Sequence, residues 1–523
     1  MKKMKKLLSL VLTVAMVVVM GITTFAASDY KITVTNTNPN ISINGKTYTA
    51  YKIFSASYST SDPNAIVYSK DNTCLDVTYE GKTGDALVTW LATEEGTSNV
   101  RAFADYVYTN YIKGKNVTGV QATANGETAE IDLNAPGYYL VYGDATATNG
   151  KADASNVAVA VSLTTAKPSA TINPKADAPS LKKEIKHNEN SKWGVVGDNQ
   201  IGDTVEFRTI TTVPDTTGYT TYTYKIHDTM SAGLTSNVKS KDNIQIKIDD
   251  DKALDGKYYS VEATGNTFTV TVDIMKAVKD KILTTTNKLY TYYTGVLNSD
   301  AKIYDEGNQV NTAYLEYSNS PYDNGTGRTP DKKVYDWTFK MGVNKVDSTG
   351  NSLSGAKFVL SKENGLKIDA NKDGVPTNNK DKLIKLIANE DGTYTVAPSN
   401  YDGVTTYVIT AGNVTIKGLD DTVDYYLYET AAPSGYNKLT DPVHFKITVD
   451  TKNYGTTGET KPTPTVTVGT SAASEELSTN VVNTSGSLLP STGGIGTTIF
   501  YVIGGILMVG AGVILVSRRR RSK

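Results

Sequence analysis

The sequence predicts an all-β protein built from tandem β-sandwich domains, with one helical insert. Short runs of β-branched and aromatic residues alternate with polar residues, and Gly, Asn and Asp separate the runs. This is the pattern of half-buried strands joined by turns, and 31–35, 157–161 and 268–273 are examples. Helical periodicity is scarce. Its best example is 84–111, where Leu87, Leu91, Phe103, Val107 and Tyr111 fall roughly on one face.

Residues 1–26 have the three-part pattern of a secretory signal peptide. Four lysines stand among the first six residues, 7–22 are mostly apolar, and Ala26 supplies the small residue at which such signals are cut. We therefore expect the part of the chain that follows Ala26 to be exported.

Charge and cysteine content describe a moderately acidic exported protein. Nine of the 53 basic residues and none of the 54 acidic ones lie in 1–26 and 493–523, so the part between carries a net charge of about −10. Such a balance gives no indication of nucleic-acid binding. Cys74 is the single cysteine, so the chain can form no internal disulfide, although exported proteins are free to use them. The three histidines stand far apart in the sequence, which argues against a His-based metal or nucleophile site.

Turn-rich and proline-rich stretches divide the chain into domains. We predict a first domain over 27–170, with the helical insert, and a linker over 171–179, because three prolines between 168 and 179 interrupt any strand ladder. A second domain follows over 180–322 and a third over 334–484. The first domain shows no lysine cluster like those described below, and Lys52 is predicted to face solvent.

The C-terminal segment 489–523 has three parts in a fixed order. Leu489, Pro490, Ser491, Thr492 and Gly493 precede an apolar run over 495–516, and four arginines follow at 518–521. Such a run can cross ~30 Å of hydrocarbon as a helix, and the arginines would hold its end in the cytoplasm. The segment resembles the LPxTG cell-wall sorting signal of Gram-positive bacteria. The resemblance implies that a sortase cuts between Thr492 and Gly493 and transfers the Thr492 carbonyl to an amine.

The third domain carries a second recognisable motif. Residues 425–436 read Tyr-Tyr-Leu-Tyr-Glu-Thr-Ala-Ala-Pro-Ser-Gly-Tyr, which resembles the E-box of Gram-positive pilins. The segment that begins at Lys345 resembles the opening of Cna-B-type domains, which are immunoglobulin-like sandwiches. Asn483 stands where those domains place an asparagine in the last strand. The resemblance implies a spontaneous amide bond from Lys345 to Asn483, with Glu429 as the catalyst.

This chemistry needs these residue types. A lysine amine is a nucleophile only when neutral, and burial lowers the pKa of lysine while it raises that of a carboxylic acid. A neutral Glu429 could polarise the amide of Asn483 and shuttle protons to the departing ammonia, and fixed packing would let a slow reaction proceed without an enzyme. Asn480 is a rival acceptor on the opposite strand face. The alternative is a buried Lys–Glu ion pair beside an amide.

The second domain resembles the isopeptide-forming D2 domain of backbone pilins. Leu181, Lys183 and Ile185 alternate and should share the inward face, which selects Lys183 over Lys182. Asp228 is the candidate acid in place of Glu.

The acceptor in the second domain is Asn311 or Asn319, which fall on one face of the predicted last strand. If the first and last strands are parallel neighbours, Asn311 is favoured, because it and Lys183 both lie near the starts of their strands. The alternative is that these are surface residues on β-strands.

Residues 172–175, Ile-Asn-Pro-Lys, lie between the first and second domains. They resemble the pilin motif, which has Tyr-Pro-Lys-Asn at its core, although Asn173 replaces the tyrosine and Ala176 the asparagine. The resemblance implies that Lys175 attacks the sortase thioester at Thr492 of another copy. Lys167 and Lys182 are the alternative nucleophiles.

Together these features resemble the major, or backbone, subunit of a sortase-assembled pilus on a Gram-positive cell wall. The implied partners are pilus-specific and housekeeping sortases, other copies of the chain, minor pilins, peptidoglycan and a host surface ligand. No cofactor or metal is implied. The stretch 369–374 opens like an EF-hand loop, but its twelfth position would be Lys380 rather than Glu, so we predict a polar turn. The internal chemistry is autocatalytic and single-turnover, so the chain is not predicted to be an enzyme. The alternative function is a monomeric wall-anchored adhesin or a minor pilin, which would need Thr492 but not Lys175.

Overall fold

A computed structural model describes residues 30–37, 41–58, 66–143, 152–153, 158–173, 178–188, 191–322, 324–450, 458–486, 503, 506–512 and 514. The described residues are mostly β-strand, which confirms the predicted fold class. They form two compact units. One comprises the described residues of Met1–Phe339, Pro398–Asn400 and Asp450–Pro462, and the other those of Lys340–Ala397, Tyr401–Val449 and Thr463–Lys523.

The N-terminal part of the first unit contains two main sheets, of three and five strands. The three-stranded sheet has the order β12-β1-β8, and the five-stranded sheet has the order β11-β9-β3-β4 with β7 also paired to β3. The strands are β1 (Tyr30–Thr35), β2 (Ile41–Ser42), β3 (Thr47–Tyr58), β4 (Ile66–Ser69), β5 (Thr78–Tyr79), β6 (Lys82–Thr83), β7 (Val120–Thr123), β8 (Thr128–Leu133), β9 (Gly137–Gly143), β10 (Ala152–Asp153), β11 (Val159–Leu163) and β12 (Ser169–Ile172).

The predicted helical insert is confirmed as three short helices and one π-helical turn. They are α1 (Gly84–Leu91), α2 (Glu94–Ser98), α3 (Val100–Val107) and the turn Tyr108–Ile112. Leu87, Phe103 and Val107 are buried against one face of the β3–β9 pair, and β1 and β8 cover the other face. The insert therefore gives the five-stranded sheet a second hydrophobic core.

The rest of the first unit is built from two larger sheets. Their orders are β14-β13-β16-β23-β19-β20, with β18 on β23, and β15-β26-β24-β17-β22-β21, with β25 on β24. The elements are β13 (Leu181–Lys186), β14 (Trp193–Gly194), β15 (Val196–Asp198), β16 (Thr204–Thr212), β17 (Tyr224–Met230), β18 (Leu234–Ser236), the 3₁₀ turn Lys241–Asn243, β19 (Gln245–Ile248), β20 (Lys252–Ala253), the 3₁₀ turn Gly256–Tyr258, β21 (Tyr259–Thr264), β22 (Thr267–Val272), α4 (Ile274–Lys279), β23 (Lys288–Leu297), β24 (Gln309–Ser318), β25 (Thr326–Arg328) and β26 (Lys332–Trp337).

Tyr322 links these two parts of the first unit. Its ring centroid lies 4.5 Å from that of Tyr108, its hydroxyl accepts the backbone N–H of Ala158 at 3.0 Å, and it also donates to Asp105. A partly buried tyrosine that packs its ring and is hydrogen-bonded at its hydroxyl holds the chain around it in place. This contact joins the two parts within one compact unit.

The second unit contains two five-stranded sheets, with the orders β29-β30-β32-β27-β36 and β31-β28-β33-β34-β35. Its first and last strands, β27 and β36, are parallel neighbours. The elements are β27 (Phe339–Asp347), β28 (Ala356–Ser361), the 3₁₀ turn Lys380–Lys382, β29 (Leu386–Ala388), β30 (Tyr394–Val396), β31 (Ile409–Ala411), β32 (Asn413–Leu419), β33 (Asp424–Ala431), β34 (Val443–Val449), β35 (Pro464–Val468) and β36 (Ser478–Asn483).

Two predicted segments differ from, or lie beyond, what the structure describes. The sequence places 334–337 at the start of the third domain, but β26 (Lys332–Trp337) pairs with β15 and β24 in the first unit. The signal segment 1–26 lies outside the described residues. Of the predicted membrane span 495–516, only 503, 506–512 and 514 are described, as exposed helix. Within the described part of the chain, no helix is both long and apolar enough to cross a membrane. The three-domain division remains a prediction.

Candidate functional site

The third predicted domain brings Lys345, Glu429 and Asn483 into its core. Alternation along β27 points Phe339, Met341, Val343 and Lys345 inward, and the same rule points Glu429 inward from β33 and Asn483 from β36. Lys345 and Asn483 are 0% exposed and Glu429 is 4% exposed. The structure thus gathers all three sequence-predicted residues in one buried cluster, which we call the Lys345 cluster.

Hydrogen bonds in the Lys345 cluster hold the asparagine amide against the acid. Asn483 Nδ2 donates to Glu429 Oε2 at 2.9 Å and also to the backbone carbonyl of Asn437. The backbone N–H of Leu439 donates to the same Glu429 oxygen at 2.7 Å. Glu429 Oε1 and Asn483 Oδ1 are buried and have no hydrogen-bond partner among the described residues.

The Lys345 amine is held by backbone carbonyls. Its Nζ donates to the carbonyl of Val481 at 2.6 Å and to that of Val346 at 3.4 Å. Burial lowers the pKa of Lys345, and the nearby charge of Glu429 opposes that effect. In the described part of the chain, the hydrogen bonds of Lys345 Nζ go to backbone carbonyls rather than to a carboxylate. The cluster is therefore arranged for a neutral amine more than for an ion pair.

The two asparagines of β36 lie in different surroundings. Asn483 points into the core, while Asn480 is exposed and accepts a bond from Asn344 Nδ2 at 3.3 Å. The parallel register aligns Lys345 with Val481, two residues before Asn483. Only Asn483 lies beside Glu429.

The second predicted domain gathers Lys183, Asp228 and Asn311, which we call the Lys183 cluster. They point inward from β13, β17 and β24 and are 2%, 1% and 0% exposed. Lys183 Nζ donates to Asp228 Oδ2, which makes a fully buried ion pair or its neutral equivalent. Asp228 Oδ1 and Asn311 Oδ1 are buried without a hydrogen-bond partner, as are the corresponding oxygens of the Lys345 cluster.

Tyr293 of β23 is at the centre of the Lys183 cluster, and nothing in its local sequence singles it out. Its hydroxyl accepts a hydrogen bond from Lys183 Nζ, donates to Asp228 Oδ2 and accepts from Asn311 Nδ2 at 3.4 Å. The amine also lies 5.1 Å from the Tyr293 ring centroid and 5.8 Å from that of Phe207. The only sequence signal was the alternation of β23, which points Leu289, Thr291 and Tyr293 inward.

The electrostatics of the Lys183 cluster favour neutral groups. Burial lowers the pKa of Lys183, against the attraction of Asp228. Burial also raises the pKa of Asp228, against its bonds to Lys183, Tyr293 and Asn311. The pKa of Tyr293 is raised well above its usual value of 10.0, first by burial and then by the nearby Asp228. When the shared proton lies on Asp228, the Lys183 amine is neutral and has the free lone pair that a nucleophile needs.

The premise that favoured Asn311 is wrong, although Asn311 does lie in the cluster. β13 and β24 are not parallel neighbours, because β13 pairs with β14 and β16 and β24 lies in the opposing sheet. Lys183 reaches Asn311 across the sandwich core. Asn319 is buried but has no hydrogen bond to Lys183 within the described residues. Lys182 is exposed and pairs with Glu184 at 2.6 Å.

Lys46, in the first unit, is a third buried lysine in addition to Lys183 and Lys345. Lys46 is 1% exposed and falls on the same side of its segment as Tyr48 and Ala50, which are core residues. Lys52, predicted to face solvent, is half-buried and donates to Thr73 Oγ1 at 3.4 Å. The sequence pattern alone does not single out Lys46, because the residue precedes its strand.

The residues predicted to join one copy of the chain to the next are not among those that the structure describes. Lys175 and the segment Leu489, Pro490, Ser491, Thr492 and Gly493 lie outside the described residues. Asn173, two residues before Lys175, is described and donates from Nδ2 to Thr37 Oγ1 at 2.6 Å. The EF-hand-like stretch is a turn in which Asn371 Oδ1 accepts the backbone N–H groups of Asp373 and Val375.

Family models match two parts of the chain. Residues 339–461 match a SpaA-type prealbumin-like fold domain, and 481–523 match the LPXTG cell wall anchor motif. The first match contains Lys345 and Glu429, and the second contains Asn483 together with 489–493. The chain therefore carries a SpaA-type domain followed by a cell wall anchor motif.

Similar whole proteins are surface proteins and pilins. The trypsin-resistant surface T6 protein of Streptococcus pyogenes serotype M6 is 30% identical over 269 residues, which are 44% of this chain and 48% of that protein. The match spans about half of this relative. The solved T6 backbone pilin of the same serotype aligns over 87% of this chain and 99% of its own, with 16% identity and a TM-score of 0.49. The Corynebacterium diphtheriae major pilin SpaA aligns over 87% of this chain and 100% of its own, with 14% identity and a TM-score of 0.48.

Proposed function

We propose that this chain, a sortase-anchored cell-surface protein of the backbone-pilin type, is the subunit that repeats along a covalent pilus. Its LPXTG motif places it at the cell wall of a Gram-positive bacterium. The role is structural: the chain is a substrate of sortases, and copies of it build a fibre that supports adhesion.

In this proposal, one sortase step joins each copy to the next. The enzyme cuts after Thr492 and holds its carbonyl as a thioester, which the Lys175 amine of another copy attacks. The last copy is passed to peptidoglycan instead, so wall attachment happens once per fibre. Minor pilins and a host surface ligand are the further partners proposed.

Internal amide bonds, from Lys345 to Asn483 and from Lys183 to Asn311, would strengthen the subunit. The observation that carries this part is the repeated constellation: in two separate β-sandwich cores, a fully buried lysine lies with an acid and an asparagine. Burying three polar side chains that remain unlinked costs several kcal/mol. A covalent amide between the lysine and the asparagine removes the lysine charge.

The bond-forming step is balanced without a co-reactant. The neutral lysine Nζ attacks the asparagine Cγ, the Nζ–Cγ bond forms and the Cγ–Nδ2 bond breaks. One proton from Nζ reaches Nδ2, which leaves as ammonia. Glu429 or Asp228 carries the proton and hydrogen-bonds the carbonyl oxygen while negative charge develops on it.

The crosslinks are tested by the intact mass of the folded protein. Two bonds remove the mass of two ammonia molecules, and peptide mapping should find the Lys345–Asn483 and Lys183–Asn311 pairs linked. Glu429→Ala should prevent the ammonia loss that accompanies the Lys345–Asn483 bond and leave the one that accompanies the Lys183–Asn311 bond. A mass with no ammonia missing would refute both bonds.

Polymerisation is tested by immunoblots of cell-wall extracts. The wild type should give a ladder that resists SDS, and Lys175→Ala should collapse it to the monomer, while Lys167→Ala serves as the matched control. An unchanged ladder in Lys175→Ala would reject that lysine. A wild type with no ladder would identify a monomeric wall-anchored protein instead.

A further inference from the structure

Among the described residues, Tyr293 is the one side chain that bonds to all three reacting residues of the Lys183 cluster. Its hydroxyl accepts from Lys183 Nζ, donates to Asp228 Oδ2 and accepts from Asn311 Nδ2 at 3.4 Å. A phenol has one proton and two acceptor sites. The hydroxyl therefore uses its donor and both acceptor sites to bond the nucleophile Lys183, the acid Asp228 and the leaving nitrogen of Asn311.

The Lys345 cluster shows what this tyrosine replaces. There the leaving nitrogen, Asn483 Nδ2, donates straight to the Glu429 carboxyl at 2.9 Å. In the Lys183 cluster, the leaving nitrogen, Asn311 Nδ2, donates to the phenol at 3.4 Å, beside the interaction of Asn311 with Asp228. Asp228 has a side chain one methylene shorter than Glu, and the phenol oxygen lies between its carboxyl and Asn311.

We propose that Tyr293 is a catalytic proton relay for the bond between Lys183 and Asn311. As Nζ attacks Cγ, the phenol gives its proton to Nδ2 and receives one that started on Nζ, either directly or through Asp228 Oδ2. The Cγ–Nδ2 bond breaks, ammonia leaves and Tyr293 ends as it began. This inference rests on the proposed Lys183–Asn311 bond and adds a fourth residue to it.

The surroundings of Tyr293 suit this role. Its ring stacks on Phe207, with centroids 5.8 Å apart, and meets Phe268 edge-on at 4.8 Å, so packing fixes the direction of the hydroxyl. Tyr293 is 4% exposed, and its raised pKa keeps the phenol protonated. A phenol that stays neutral can pass a proton on only by receiving another, which is what a relay does.

The test measures how fast each crosslink forms. The full chain is synthesised in a cell-free reaction, and mass spectrometry follows the fractions of linked Lys183–Asn311 and Lys345–Asn483 peptides with time. Tyr293→Phe keeps the ring and removes the hydroxyl. We expect it to slow the Lys183–Asn311 bond by about 100-fold or more, the usual worth of a positioned acid–base group, while the Lys345–Asn483 bond forms at its normal rate.

Two further variants separate chemistry from structure. Tyr224→Phe removes another buried phenol of the same sandwich, one that donates to the Thr212 carbonyl at 2.9 Å, and should leave both rates unchanged. Replacing Tyr293 by 4-aminophenylalanine restores an N–H at the same place and should recover much of the lost rate, even if the Phe variant folds poorly.

The outcomes are distinct. A Tyr293→Phe chain that forms the Lys183–Asn311 link at the wild-type rate overturns the relay and leaves the proposed crosslink intact. Equal slowing by Tyr224→Phe, or no recovery with 4-aminophenylalanine, shows a packing role and also overturns it. A wild-type chain that never forms the Lys183–Asn311 link rejects the bond itself, and the relay with it.

Discussion

The Lys345 and Lys183 clusters contain the same kinds of residues but hold the lysine differently. Lys345 donates to the backbone carbonyls of Val481 and Val346. Lys183 donates to a carboxyl and a phenol, those of Asp228 and Tyr293. The acid of the Lys345 cluster bonds to the amide, whereas the acid of the Lys183 cluster also accepts a hydrogen bond from the amine.

This difference shows that there are two ways to keep a buried amine reactive. Carbonyl acceptors bond the amine of Lys345, and burial lowers its pKa against the opposing charge of Glu429. An acid in direct contact stabilises the charged amine of Lys183, and burial must work against that attraction. The Lys183 cluster should therefore depend more strongly on its acid for stability, and on a relay for chemistry.

The largest effect is expected for Asp228→Ala. It prevents the crosslink and also leaves the buried Lys183 without its carboxyl partner, and leaving a buried donor unsatisfied costs about 1–3 kcal/mol. Asn311→Ala also prevents the crosslink but keeps that pair, so it is the matched control. Denaturant unfolding should show Asp228→Ala less stable than Asn311→Ala. Coincident unfolding curves would contradict the paired arrangement.

The next effect is loss of a crosslink alone. Asn483→Ala should leave Lys345 unlinked and destabilise its unit by about 5 kcal/mol, the chain-entropy value for closing a loop of more than 100 residues. Asn480→Ala, on the exposed face of β36, should keep the same ammonia deficit relative to its own expected mass and nearly the same unfolding midpoint. A smaller ammonia deficit in Asn480→Ala would reassign the acceptor.

A smaller effect is expected in the pH dependence of the unlinked variants. In Asn483→Ala, the free Lys345 amine has a pKa below its ordinary 10.5, so the unfolded chain binds more protons between those two values. Stability should then rise with pH up to about 10.5 and be lost as the pH falls through the lowered pKa. Lys345→Met has no such amine and is the control; a rise of equal size there would refute the assignment.

The Lys183 cluster should add the opposite slope at lower pH. In Asn311→Ala, the Asp228 pKa is raised above its ordinary 3.8, so the folded chain binds more protons there. Stability should fall as the pH rises from about 3.8 through the raised pKa. Unfolding curves of the two asparagine variants across pH would compare the clusters directly.

The smallest effect is expected for Lys182→Ala. Its amine lies 2.6 Å from Glu184 but its side chain is 65% exposed, and exposed ion pairs contribute about 0–1 kcal/mol. The Lys183–Asn311 link should form normally, as peptide mapping would show. Loss of the link in Lys182→Ala would mean that alternation selects the wrong lysine.

The family resemblance supplied most of the candidate cluster residues, and strand alternation selected among them. A lysine in phase with Leu181 and Ile185, or with Met341 and Val343, has to enter the core if those residues do. The E-box pattern similarly placed Glu429 in phase with Tyr425 and Leu427, both buried. The helical insert was predictable as well, because its apolar residues recur at helical spacing.

Strand neighbours and cross-core contacts were not predictable in the same way. The rule that first and last strands are parallel neighbours holds for β27 and β36 but fails for β13 and β24. Tyr293 lies 110 residues from Lys183 in sequence, and many inward tyrosines could have met that amine. Lys46 precedes its strand, so alternation alone did not reveal its burial.

The sequence by itself determined which residues enter the cores and which C-terminal motif the chain carries. Both are local properties: side chains alternate with a period of two, and a sorting motif is read as a linear string. Only the tertiary structure decided which inward residues meet. Face-to-face packing of two sheets brings Lys183, Asp228, Tyr293 and Asn311 together from four strands, and that packing depends on the whole sandwich rather than on any one segment.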